Sequence, residues 1–143
     1  MGSSASPVSS APVVDAVAWT HVRNGRLLCV RTRGRTLFYL PGGKREPGES
    51  DADAVSRESA EEVAVRLRRD TLAPFAVVEE EADGYPAGTR VRLSCFTAEH
   101  DGEPVPRNEI AELAWFGRAD RERTAPAVRR VMDELHARGL LAD

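Results

Sequence analysis

The chain has 143 residues, 41% hydrophobic and only 6% aromatic, which suits one domain with enough apolar content to bury a core. A formal net charge of −3 provides no basic surface to hold a nucleic-acid polymer. No run approaches the roughly 20 apolar residues of a membrane span, so a soluble cytoplasmic protein is expected.

Residues 1–12 are rich in Ser, Ala and Pro, without a basic start or an apolar centre. They read as a disordered tail and not as a signal peptide, which places the domain at residues 13–143. Residues 13–22 are apolar on both alternating faces, as in a central strand. Asn24-Gly25 then supplies the positive φ of a type I′ hairpin turn, and residues 27–31 return as the second strand. Residues 31–36 form a basic turn. Residues 37–40 read as a short strand that delivers the chain into Pro41-Gly42-Gly43.

Pro41-Gly42-Gly43 and Pro47-Gly48 are turn chemistry on either side of a charged loop. Ser50 or Asp51 caps a helix, and Ser50 with Asp53 forms a capping box using the shorter acid. Alanines and valines carry that helix to about Arg66. Residues 74–81 and 89–98 read as two strands joined around Asp83-Gly84, followed by a polar loop over 99–108 and a last short strand over 112–116. Residues 126–138 form an amphipathic helix that buries Val128, Val131, Met132 and Leu135, with Gly139 as its stop. Cys29 and Cys95 lie in apolar runs and read as buried, reduced thiols.

The chemistry concentrates on the first helix. Glu58, Glu61 and Glu62 stand at i, i+3 and i+4, which puts three carboxylates on one stripe. Carboxylates so crowded repel unless a positive charge compensates them. Oxygen ligands of this kind suit Mg²⁺ or Mn²⁺, and Mg²⁺ bridges readily to phosphates. The bland alternative is a solvated acidic face paired with Arg57, Arg66 and Arg68. The wider spacing bears on this choice: Gly43, five residues, Glu49, seven residues, Arg57-Glu58, two residues, Glu61-Glu62.

With those positions in register, the chain resembles the Nudix hydrolases. Two positions depart from the family pattern. Ser59 replaces an aliphatic residue and is expected to weaken packing of the helix against the sheet. Ala64 replaces a glycine and suggests that the helix runs on, which requires a negative φ.

The resemblance implies an α/β/α sandwich with a mixed sheet over about residues 13–141, in a small MutT-like hydrolase dependent on Mg²⁺ (or Mn²⁺). It makes Glu58 and Glu62 the leading metal ligands and Glu61 a further one, with the Gly43 carbonyl completing the shell. Arg57 is then the residue that orients Glu49 and Glu58 through its guanidinium fork, the alternative being an ordinary helix salt bridge. The base varies within the family: a box glutamate in some members, a later loop glutamate in others. The catalytic candidates are therefore Glu58, Glu61, Arg57 and Glu109, with Glu99, Glu103 and Glu112 as other loop or strand carboxylates.

Lys44, the only lysine, and Arg45 either meet substrate phosphates or form a solvent-facing loop pair. Phe38 and Tyr39, with Trp19 and Phe96, either floor a substrate pocket or belong to the core. His21, His100 and His136 have no motif spacing. Residues 79–82, where subfamilies acting on ADP-ribose or dinucleoside polyphosphates carry proline or tyrosine markers, hold neither. By elimination the expected substrate is a (deoxy)nucleoside triphosphate, an oxidised one included. ADP-ribose, a nucleotide sugar or a dinucleoside polyphosphate stays open, as do a non-catalytic nucleotide-binding module and a partner-binding domain. The partner expected is a small nucleotide, with no polymer and no membrane; a homodimer is left open.

Overall fold

The computed structural model of the protein describes residues 11–143. The tail expected over residues 1–12 therefore lies outside the described residues, except for Ala11 and Pro12. The Pro12 carbonyl accepts a hydrogen bond from the Arg90 N–H at 2.8 Å, so it already lies beside the sheet.

The strands are β1 (Val13–Trp19), β2 (Val22–Arg23), β3 (Arg26–Thr32), β4 (Gly42–Lys44), β5 (Arg66–Leu67), β6 (Ala73–Glu81), β7 (Arg90–Thr97), β8 (His100–Asp101) and β9 (Ile110–Phe116). The helices are α1 (Asp51–Val63) and α2 (Pro126–Ala137), with short 3₁₀ turns at Arg69–Thr71 and Arg118–Arg123. One sheet runs β4-β1-β7-β6; β1 and β7 pair in parallel and its other neighbours are antiparallel, so it is mixed. An antiparallel sheet runs β2-β3-β9, and β5 pairs with β8.

Side-chain alternation explains the layers. Val17 and Trp19 of β1, with Leu28 and Val30 of β3, pack with Ala54, Val55 and Val63 of α1. Their neighbours Ala18, Leu27 and Cys29 pack in a second core with Val128, Val131, Met132 and Leu135 of α2. Successive strand residues thus feed opposite faces, and each face is covered by one helix. This is the expected sandwich. Both cysteines are buried and free, and burial pushes the Cys95 thiol up to about 12. Among the described residues, no helix is long and apolar enough to cross a membrane.

Several local expectations need correction. The first strand stops at Trp19 and resumes only as the two residues of β2. Residues 37–40 form no strand; Phe38 and Tyr39 make single bridges to Thr124 and Val30. Pro41-Gly42-Gly43 is not a turn, because Gly42 and Gly43 form β4 and pair antiparallel with Ala18 and Val17. A Cβ on Gly42 would lie 2.0 Å from the Val17 carbonyl oxygen, so the glycine serves close backbone approach and not a special φ. By contrast, Asn24 and Gly25 have φ of 53° and 76°, as the type I′ turn requires.

Helix α1 is capped by Ser50, whose Oγ accepts from the Asp53 N–H at 3.1 Å, but the return half of the expected capping box is not made: the Asp53 carboxylate pairs with Arg69 at 2.9 Å. The helix ends at Val63, not near Arg66, and Ala64 takes φ 61° where a negative value was expected. The cause is tertiary. The carbonyls of Glu62 and Val63 accept from the N–H groups of Arg107 and Val105, each at 3.0 Å, and the chain turns away into β5. Ser59 is fully buried, and its Oγ has no hydrogen-bond partner.

Ala64→Gly is expected to stabilise the protein. Relief of a left-handed alanine is worth about 1–2 kcal/mol, and the added freedom of the unfolded chain takes back about 0.4–1 kcal/mol. The net is about 0.5–1 kcal/mol, or a few degrees in Tm by thermal unfolding. A lowered Tm would mean that this backbone position carries no strain.

Candidate active site

The site is built where the edge of the sheet meets the inner face of α1. Strand β4 brings Gly42 and Gly43 against that helix, and the Gly42 N–H donates to the Glu62 Oε1 at 3.1 Å. A Cβ on Gly43 would meet the Glu58 carboxylate at 2.4 Å, so that glycine makes room for a carboxylate. Glu62 is only 8% exposed.

Arg57 organises the neighbouring acids. Its Nε and Nη2 donate to the two oxygens of Glu49 at 2.8 and 2.9 Å, a bidentate fork. Nη1 reaches Glu58 Oε2 at 3.2 Å and Glu61 Oε1 at 3.4 Å, and Nη2 also donates to the Lys44 carbonyl at 3.2 Å. The fork, helped by the Glu46 N–H, holds the Glu49 carboxyl down to about 2.

Glu58 and Glu62 are pushed the other way. Burial raises both, and Glu62 reaches about 8 despite the Gly42 N–H, with Glu58, Glu109 and Glu61 adding repulsion. Glu109 also repels Glu58, so it shares the field of the acidic helix. A docked loop brings it there. Asn108 Nδ2 donates to the Glu61 carbonyl at 2.7 Å, Arg107 Nη1 to the Ala60 carbonyl at 3.3 Å, and the Arg33 N–H to the Glu109 carbonyl at 2.9 Å.

These residues fit a hard divalent cation. Glu62 is a buried carboxylate whose one hydrogen bond is to a backbone N–H and which has no ion-pair partner among the described residues. The surrounding donors are all oxygens. Among the described residues, no three Asp, Glu, His or Cys side chains converge as a ready-made ligand set. Arg57 draws Glu58 and Glu61 towards itself, and Glu61 is 53% exposed.

A cavity of about 280 Å³ adjoins the carboxylates, lined by Gly42, Gly43, Lys44 and Glu62 together with Arg35, Tyr39, Asp83 and Tyr85. Val14, Ala16, Val91 and Leu93 supply apolar wall. Of the substrate-binding candidates, Lys44 and Tyr39 line this space. Arg45 does not: it pairs with Asp51 and lies 3.8 Å from Asp15. Phe38 is 3% exposed and packs edge-on against Phe116 in the core. Glu112 is tied to Arg31 at 2.7 Å and Glu103 to Arg23 at 2.8 Å, while Glu99 lies 3.5 Å from Arg68.

Arg35, Asp83 and Tyr85 were not singled out from sequence as site residues; the signals near them were the basic turn over residues 31–36 and the Asp83-Gly84 connection, and Tyr85 is off register for the subfamily tyrosine marker. The docking residues Arg107 and Asn108 carried none.

The sequence profile described as NUDIX domain matches residues 12–135. Curated protein sequences contain no significant match to the chain. Among solved structures, the E. coli ORF135 protein superposes with a TM-score of 0.71 at 24% identity, covering 92% of this chain and 94% of that one. A MutT NUDIX hydrolase from Burkholderia pseudomallei gives 0.70 at 23% identity, over 86% and 98%. The E. coli dihydroneopterin triphosphate pyrophosphohydrolase gives 0.66 at 24% identity, over 90% and 96%. At such identities these likenesses carry the fold.

Proposed function

Since the chain belongs to the Nudix hydrolase family, we propose that it hydrolyses a phosphoanhydride bond of a (deoxy)nucleoside triphosphate with the help of Mg²⁺. The observation that carries this reading is the adjacency of two chemistries. The buried carboxylate Glu62 lines a cavity of about 280 Å³ that Lys44 and Tyr85 also line, and the half-buried Glu58 sits against Gly43 of the same wall. That volume lies at the small end of ligand sites and suits one nucleoside better than two. The triphosphate named for the E. coli dihydroneopterin enzyme supports a polyphosphate chain on a flat heterocycle.

Glu58, Glu61 and Glu62, with the Gly43 carbonyl, would hold the metal. When bound, it would neutralise phosphate charge and lower the pKa of a coordinated water. Arg57 keeps Glu49 and Glu58 in one arrangement through the fork and the Nη1 contact. Lys44 places an ammonium where phosphates would pass between β4 and the cavity. The proton of the attacking water needs a carboxylate acceptor. Glu109, brought to the acidic helix by the 105–108 loop, is the loop candidate, with Glu58 and Glu61 as the box alternatives.

A product-release screen with Mg²⁺ across nucleoside triphosphates, ADP-ribose, nucleotide sugars and dinucleoside polyphosphates tests the reading. The highest kcat/KM is expected on a nucleoside triphosphate. Turnover confined to the conjugates would replace it.

A further inference from the structure

Tyr85 has an unusual setting for a turn residue. It is 41% exposed, yet it lines the cavity, and the Lys44 Nζ lies 5.9 Å from its ring centroid. The turn beneath it is fastened to the opposite loop. The Tyr39 hydroxyl donates to the Asp83 carboxylate, and Arg35 Nη1 lies 3.6 Å from the same Asp83 oxygen. Gly84 has φ 83°, and a Cβ there would sit 2.1 Å from the Arg35 guanidinium. Glycine therefore lets Arg35 lie flat across the turn. Such fastening means that the ring is presented from a fixed position, with little ordering cost left for a ligand.

An exposed aromatic on a fixed turn, at a cavity of nucleoside size and beside the only lysine of the phosphate side, matches the needs of a stacked base. We propose that Tyr85 is the stacking platform for the substrate's heterocyclic base, held in place by the Arg35–Asp83–Tyr39 contacts, and that it selects nucleotides with a planar base over base-free polyphosphates. This deepens the hydrolase reading and rests on it. The bicyclic face of a purine overlaps a tyrosine ring more than a pyrimidine does, so purine nucleotides gain most.

The test measures binding apart from turnover. Calorimetry with Mg²⁺ compares wild type, Tyr85→Ala and Tyr85→Phe against the α,β-methylene analogues of ATP and GTP, and against methylenediphosphonate as a base-free probe. Tyr85→Ala is expected to weaken both nucleotide analogues by about tenfold or more. Tyr85→Phe should stay near wild type, and methylenediphosphonate should bind all three proteins alike. Equal affinities across the three proteins for the nucleotide analogues would overturn the platform. So would an equal loss on the base-free probe, which would mean a general disturbance of the site. Turnover separates this from the activity. Tyr85-dependent binding with no hydrolysis of any nucleotide would remove the hydrolase reading and leave the platform. Hydrolysis of triphosphates with KM indifferent to Tyr85→Ala would do the reverse.

Discussion

Glu62→Gln is expected to lower turnover by at least about 100-fold on every substrate, the scale of losing a main electrostatic stabiliser of the reacting phosphate. The substitution is nearly isosteric, and a Gln Oε1 can still accept the Gly42 N–H that now binds Glu62 at 3.1 Å. What disappears is a buried carboxyl with no cationic side chain beside it among the described residues, whose ionisation burial opposes until a cation binds. The fold should not suffer, because burial keeps the metal-free Glu62 carboxyl largely protonated near pH 7, and a neutral amide replaces a group whose ionisation that burial penalises. Metal-free variant and wild type are therefore expected to melt at similar temperatures, or the variant higher. Mg²⁺ should raise the Tm of wild type and do so much less for Glu62→Gln, since a ligand that binds only the native state stabilises it by mass action. Near wild-type hydrolysis by the variant would show that Glu62 is not a metal ligand. A large loss of Tm in the metal-free variant would assign it a structural role instead.

How far this site was legible depends on what each residue is for. The charged positions could be read because their spacing is fixed by one helix and one loop, and the same covalent distances bring Arg57 to Glu49, Glu58 and Glu61 in the fold. Local signals with a backbone mechanism also carried through: Ser50 caps α1, Asn24-Gly25 makes the hairpin, and Gly139 at φ 72° follows α2. Contacts between distant segments were not legible. Gly42 reads as turn chemistry because glycine usually supplies positive φ, whereas here it lets β4 press against the Val17 carbonyl. Strands β5 and β8 have two residues each, below the length at which alternation can be seen. Ala64 was expected to continue the helix, and no local feature announces that Val105 and Arg107 take the carbonyls of Val63 and Glu62. The same gap hid Arg35 and Asp83, which meet at 3.6 Å between two loops far apart in the chain. Arg45 beside the glycines suggested phosphate contact, but Asp51 at the start of α1 takes its guanidinium.

Arg57→Lys is the second large effect expected, a fall in kcat of about 10–100-fold with the fold preserved. The geometry argues against treating the change as conservative. Arg57 spends Nε and Nη2 on the two oxygens of Glu49, and uses Nη1 to reach Glu58 and Glu61 and Nη2 to reach the Lys44 carbonyl. An ammonium is a point charge with no fixed fork, so it can satisfy one carboxylate but cannot set the angle between two. A mere helix salt bridge would be worth under about 1 kcal/mol, or less than about fivefold in any rate it touched. An effect of threefold or less would therefore return Arg57 to that ordinary role. Because Arg57 would act through the carboxylates it holds, the role expected of it is positioning, and two further readouts separate positioning from general damage. The Mg²⁺ concentration for half-maximal rate should rise in Arg57→Lys, since Glu58 is no longer held. Glu49→Gln combined with Arg57→Lys should cost little more than Arg57→Lys alone, because both break one fork. Additive losses in that cycle would mean that Glu49 and Arg57 serve the reaction separately.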